Sequence, residues 1–174
     1  MTTMPATRRY LVRPIEPDDR ARLCHFYAEL SPDSRAERFH GATPAIADGV
    51  ARVFCGPDHA HREGIVAVTV DEAGRSTIVG HVCIEPTTSV EAEMAIAVAD
   101  TWRRQGVGHA MLAEAIRWAR GHGVGRLRAS VRWGNPAVIG LLRSCGCPLT
   151  YGQSDGGGVD ILVDLLPATV VAAA

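Results

Sequence analysis

The sequence predicts a single α/β domain with a mixed sheet and helices layered on it. Three observations carry that prediction. Strand-like, helical and strand-like stretches follow one another across residues 91–132, the order expected of a parallel pair joined by a crossover helix. Runs that read as hairpins flank this unit on both sides, so antiparallel pairing completes the sheet. The 174 residues are 47% hydrophobic, enough for one core of this size.

The elements follow in order. "RRYLVRPI" (8–15) reads as a first strand. "EPDDRARLCHFYAEL" has acidic residues at its start and Leu23, Phe26, Tyr27 and Leu30 at helical spacing, so it reads as a helix. "SPDSRAERF" opens a second helix, with Ser31 as N-cap and Pro32 at the first helical position. "GIVAVTVD" and "STIVGHVCIE" read as strands joined through "EAGR" as a hairpin, and "VEAEMAIAVAD" as a fourth strand. Val107, Met111, Leu112, Ala115, Ile116 and Ala119 form one apolar helical stripe that ends at Gly121 and Gly123. "RLRASVRW" is a further strand and "NPAVIGLLRSCG" a further helix. "LTYGQSDGGGVDILVDLL" closes as a hairpin, with Val159, Ile161, Val163 and Leu165 alternating on one face. The count is seven strands. No repeat or linker divides the chain, so one domain is expected over 1–174, with a disordered tail at 1–7 and a flexible end at 168–174.

Bulk properties exclude several functions. A net charge of -1 provides no field for nucleic acid or an anionic membrane. All 18 basic residues are arginine, so a P-loop, which needs a lysine, is impossible, and the chain cannot acetylate a lysine of its own. The N-terminus lacks the apolar segment of a secretory signal, and "ATVVAAA" is far shorter than the about 20 residues needed to span a bilayer. Five cysteines, an odd number without regular spacing, argue against a disulfide framework. Cys145-Gly-Cys147 is one residue short of C-x-x-C, and His59-Ala-His61 has no second ligand pair at zinc-like spacing. A cytoplasmic protein without a metal is expected.

"TWRRQGVGHAML" (101–112) carries the chemistry. The dinucleotide fingerprint G-x-G-x-x-G fails here, because Met111 occupies the third glycine position. What remains is R-x-x-G-x-G after a strand and opening a helix. Glycines allow a sharp turn that gathers backbone N–H groups, and the first N–H groups of a helix lack internal partners, so a pyrophosphate can accept from them. By itself the motif is equally compatible with a tight strand-to-helix turn.

Two motifs in order, Arg103–Gly108 and an asparagine-led helix from Asn135 to Gly146, resemble the GNAT superfamily of acyl-CoA-dependent N-acyltransferases. The resemblance implies the GNAT fold, with the fourth and fifth strands splayed to admit the pantetheine arm of acetyl-CoA and a bulge near the end of the fourth strand. It implies that Ile96, Ala97 and Val98 offer their backbone to pantetheine. Residues Arg103, Arg104, Gln105, Gly106, Val107, Gly108 and His109 would hold the pyrophosphate, and Asn135 would contact the cofactor arm. Glu91 and Glu93 share a strand face inside an apolar run, and a buried carboxylate there is costly unless it has a role. Glu93, deeper along the strand, is the expected base for removing a proton from the acceptor amine; the other reading places both glutamates on a solvated edge. The Val98 N–H would meet the oxyanion. The family's usual tyrosine acid falls on Leu142 and its aromatic after glycine on Cys147, so no acid is supplied there. Thiolate, with a thiol pKa of about 8.5, leaves acceptably without one.

"LSPDSRAERFHG" further resembles a segment of bacterial Pat-type protein lysine acetyltransferases, as do "AEMAIAVADTWRRQGVG" and the missing tyrosine. Otherwise Ser31–Phe39 is a capped helix with Arg35 and Arg38 solvated. The resemblance implies a catalytic domain alone, acetylating the ε-amine of lysine in a protein such as an acyl-CoA synthetase. A small-amine acetyltransferase and a non-catalytic acyl-CoA-binding regulator are the alternatives.

Overall fold

The computed structural model describes residues 9–41, 45–154 and 157–165. The tails expected at 1–7 and 168–174 lie outside the described residues. One seven-stranded sheet runs in the order β1-β2-β3-β4-β5-β7-β6, from β1 (Leu11–Pro14), β2 (Glu63–Val70), β3 (Ser76–Pro86), β4 (Glu91–Val98), β5 (Arg126–Arg132), β6 (Leu149–Ser154) and β7 (Gly158–Asp164). Only β4 and β5 pair in parallel; every other neighbour is antiparallel.

Helices cover both faces. α1 (Arg20–Glu29), α2 (Pro32–Phe39) and α3 (Asp48–Phe54) lie on one side, and α4 (Val107–Gly121) and α5 (Pro136–Arg143) on the other. Ala92 and Met94 of β4 join the larger core with Met111, Ala115 and Ile116 of α4. Ala97, on the opposite face of the same strand, packs against the smaller core of Leu23, Phe26 and Tyr27. The alternation of β4 between two apolar layers explains its nearly continuous hydrophobic run.

Two local features depart from the expectations. The stretch expected to enter α1 directly first makes a 3-10 turn, Pro17–Asp19, whose Asp19 accepts from the Glu16 N–H and from Arg13 and Arg22. α3 carries no periodic signal, because it is seven residues long and buries only Ala51, with Asp48 and Arg52 at its ends. Ser31 caps α2 as expected, accepting from the Ser34 N–H at 3.2 Å.

Candidate active site

The site begins where two strands part. β4 pairs with β5 only at Glu91, Ala92 and Glu93, opposite Arg126, Leu127 and Arg128. Beyond that point β4 continues with β3 alone and β5 with β7 alone. A cavity of about 1050 Å³ fills the divergence, walled by β4, β5, α2, the start of α4 and the first two turns of α5. The bulge expected near the end of β4 is not in its ladder with β3, whose register is unbroken from Ala92 to Val98. Divergence of the strands frees the backbone instead. The one register shift of β3 lies on its other side, between Ala67 and Val68 of β2.

An antiparallel ladder bonds alternate residues of a strand, so its phase decides which backbone groups face the gap. Thr87 N–H to Glu91 O (2.9 Å) and Ala99 N–H to Val79 O (2.9 Å) fix that phase at both ends of β4. Odd-numbered residues therefore bond to β3, and Ile96 and Val98 turn their N–H and C=O toward the cleft. Ala97, expected to offer its backbone, does not: its peptide groups are taken by the ladder opposite His81.

Where the chain leaves β4, Arg104 (φ 60) and Gly106 (φ 84) both adopt left-handed conformations that turn it into α4. The first helical bond runs from Ala110 N–H to Gly106 O, which leaves the N–H groups of Val107, Gly108 and His109 without intrahelical partners. Gly108 sits close to its neighbours, since a Cβ there would stand 3.3 Å from Leu141 and 3.8 Å from Val98. Gly106, Gly108, His109 and Arg104 line the cavity. The side chains of two expected residues do not. Val107 is buried in the core, and Gln105 folds back to donate to the Thr101 carbonyl at 2.8 Å. Arg103 reaches the cavity wall but is bound to α2, donating to Ser34 Oγ at 2.9 Å and Glu37 at 3.3 Å. Asp100 completes that junction by accepting from the Ser31 N–H at 2.9 Å and from the Ser34 hydroxyl. Burial opposes the Asp100 charge, but these donors and Arg103 hold its pKa below the ordinary value.

The opposite end of the cleft carries the titratable groups. Glu93 lines it with its side chain 50% exposed, 4.0 Å from Arg128, while Glu91 lies 3.8 Å from the same arginine. Neither carboxylate is buried in the way its apolar sequence context implied. Ser130 of β5 faces the same side and donates to Asp160 of β7 at 2.6 Å. On α2, Arg38 donates to Cys83 Sγ at 3.0 Å and lies over the rings of Phe39 and Phe54. Tyr27 and His81 form a buried 2.8 Å hydrogen bond behind it. Burial pushes the Tyr27 phenol up to about 12 and the His81 imidazole down to about 3, so both are neutral at pH 7. The solvated-arginine reading of α2 is thus overturned. Arg35 is spent on the C-terminal carbonyls of α1, including Leu30 O, and Arg38 is half-buried.

Asn135 lines the cleft but is itself 93% enclosed, at 7% exposure, and its carbonyl caps α5 by accepting from the Val138 N–H at 3.2 Å. Leu142 is fully buried in the core, so the position aligned with the family tyrosine does not reach the cavity; Leu141 does. Sequence reasoning read Arg38 as solvated and passed over Ser130 and the Ser34–Asp100 contact. Only the serine–proline signature of α2 gave any signal for these.

The gap-facing peptide groups, the free N–H groups of α4 and the long cavity fit an acyl-CoA, with its pyrophosphate at the helix start. Among the described residues no group of three or more His, Cys, Asp or Glu could hold a metal ion, and no helix is long and apolar enough to cross a membrane. The sequence profile of the acetyltransferase (GNAT) family matches residues 23–147. No curated protein matches the sequence. Among solved structures, the GNAT domain of S. lividans PAT is similar at 29% identity and a TM-score of 0.77, covering 88% of this chain and 89% of that one. The structure of yncA from Salmonella typhimurium with its cofactor acetyl-CoA shares 18% identity with a TM-score of 0.69, over 95% and 99% of the two chains. A phosphinothricin acetyltransferase from Sinorhizobium meliloti in complex with acetyl-CoA shares 20% identity with a TM-score of 0.66, over 88% and 85%.

Proposed function

Since the chain belongs to the acetyltransferase (GNAT) family and is an acetyl-CoA-dependent N-acetyltransferase, we propose that its acceptor is the ε-amine of a lysine in a protein, such as an acyl-CoA synthetase, and that Glu93 is the base. The surface beside the cleft carries this reading. The Ser130 row of the sheet continues through Asp160 to Gly152, and the Arg128 row through Leu162 to Thr150. These residues run from half-buried to exposed, so the acceptor side opens onto a sheet surface able to receive a polypeptide. The 29% identity with the S. lividans PAT domain supports a Pat-like relationship. The acceptor side is not acidic overall, because Glu93 and Glu37 each stand beside an arginine. That counts against a small polycation as acceptor. Five free cysteines support a cytoplasmic location, and the described elements support one N-acetyltransferase domain.

Acetyl-CoA supplies the acetyl group as a thioester. The protein's own residues do the rest. A lysine amine has a reference pKa of about 10.4, so it arrives mostly protonated at pH 7 and must lose a proton before attack. Glu93, half-exposed at the cleft, takes that proton directly or through water. The Val98 N–H faces the gap, where it can donate to an oxygen gaining negative charge. Arg104 and the N–H groups of Val107, Gly108 and His109 orient the cofactor's phosphates, and Ile96 holds the pantetheine arm through its backbone. Asn135 sets the start of α5 against that arm.

The test is transfer of radiolabelled acetyl groups to a panel of acyl-CoA synthetases, with modified lysines located by mass spectrometry. Glu93→Gln is expected to lower kcat by about 10²–10⁴ while CoA binding by calorimetry is unchanged. Full turnover in Glu93→Gln would remove the base assignment; tight CoA binding with no transfer to any amine would favour a non-catalytic regulator.

A further inference from the structure

Arg38 stands apart from the other arginines of the cleft. Arg103 is paired with Glu37 and Asp100, and Arg128 with Glu91 and Glu93. Arg104 and Arg132 are exposed to water. Arg38 is half-buried, yet it forms no salt bridge with any described carboxylate, and its side-chain partners are the Cys83 thiol and the Tyr27 phenol. Its Nε is cut off from solvent and has no partner. A desolvated cation without a counter-ion is costly, and a site that tolerates one is commonly built to receive the anion.

Nothing packed against the guanidinium supplies that anion. Burial pushes the Cys83 thiol up, Tyr27 keeps its proton, and His81 is neutral. Burial opposes the charge on Arg38, yet its pKa lies above the ordinary guanidinium value, so the side chain is cationic at pH 7. Packing between Phe39 and Phe54 would be met as well by an uncharged side chain and does not call for a cation. Arg38 and Glu93 line the same cavity from α2 and β4, and Arg38 senses the Glu93 charge. An amine held at Glu93 would therefore place a group a few bonds away within reach of Arg38.

We propose that Arg38 is the specificity-determining residue of the acceptor site and recognises a carboxylate carried close to the reacting amine. This rests on the acetyltransferase reading above and narrows its acceptor. The carboxylate would be the acceptor's own in a free amino acid, or an acidic side chain beside the target lysine in a polypeptide. A guanidinium can offer two parallel N–H groups to either.

The experiment uses the full chain, acetyl-CoA and matched acceptors that differ by one carboxylate. One pair is free lysine against cadaverine. The other is a lysine peptide with glutamate beside the lysine against the same peptide with glutamine. In at least one pair the wild type is expected to favour the carboxylate member roughly tenfold or more in kcat/KM. Arg38→Gln is expected to bring the two members within about twofold, with the KM for acetyl-CoA unchanged. Arg38→Lys, which keeps the charge, should restore part of the preference and guards against a folding defect in the glutamine variant. The pair that shows the preference identifies the source of the carboxylate. Equal use of both members by the wild type, or a preference that survives Arg38→Gln, overturns the proposal. Transfer to no amine at all would count against the acetyltransferase reading rather than against Arg38. Calorimetry of CoA-loaded protein with glutamate then decides: binding lost in Arg38→Gln sustains the proposal, and no binding by the wild type overturns it.

Discussion

Gly108 shows how one missing side chain shapes the site. Its Cα lies against Leu141 of α5 and Val98 of β4, so the first turn of α4 can approach the mouth of the gap. Gly108→Val should overpack this junction, costing about 1–3 kcal/mol of stability, and should weaken CoA binding in calorimetry. Gly106 is constrained differently, by its φ of 84. Gly106→Ala is expected to cost about 1–2 kcal/mol in urea unfolding, with the loss arising from backbone strain. At this scale the glycine pattern was informative in the sequence, because each glycine answers a local steric demand. The arginines were not. Arg103 and Arg104 are adjacent and identical in type, yet one binds α2 and the other faces the cleft, since position relative to a left-handed turn separates them.

Among the elements, α2 is the one whose placement matters most. Its N-terminal Ser31 and Ser34 hold Asp100, which precedes the turn into α4, and Arg103 closes the junction from the turn side. This contact joins "LSPDSRAERFHG" and "AEMAIAVADTWRRQGVG", two stretches far apart in the chain. It sets Arg38 and Glu37 on the wall of the cavity that Glu93 also lines. Asp100→Ala should release α2, seen as faster amide exchange across Ser31–Phe39 and a rise of up to about tenfold in acceptor KM. Unchanged exchange would show that the junction does not hold the helix. The existence of α2 was legible from its serine cap and Pro32, whereas α3 was not, because a seven-residue helix burying one alanine has no period to detect.

For the whole molecule, two buried groups contribute to the response to acid. His81, fully buried at the centre of β3, titrates at about 3 in the folded protein against an ordinary 6.5. The unfolded chain therefore binds the extra proton first, and stability falls as pH drops below about 6.5 toward about 3. Asp19 adds to this lower down. Burial works against its charge, but Arg13, the Glu16 N–H and Arg22 outweigh that and bring it from 3.8 to about 2. Its contribution is full above 3.8 and is lost as pH falls through about 2. Urea titrations at pH 7, 5.5 and 4.5 should show the loss, and His81→Phe should flatten the slope. An equal slope in that variant would place the acid sensitivity elsewhere.

The sequence by itself determined the strand–helix order around the cleft, the cap of α2, the apolar stripe of α4 and the glycine turn that exposes its N–H groups. All of these are local demands of backbone geometry and periodic burial, written within a few residues of where they act. Tertiary structure alone decided that Ala97 spends its peptide groups on β3, that Glu93 is half-exposed beside Arg128, and that Arg38 is half-buried without a carboxylate. These are pairings between elements far apart in the chain, such as Arg38 with Cys83, 45 residues away, and Ser34 with Asp100, 66 away. A charge has no fixed value in sequence; its burial and its partner give it one, and both come only from the packing.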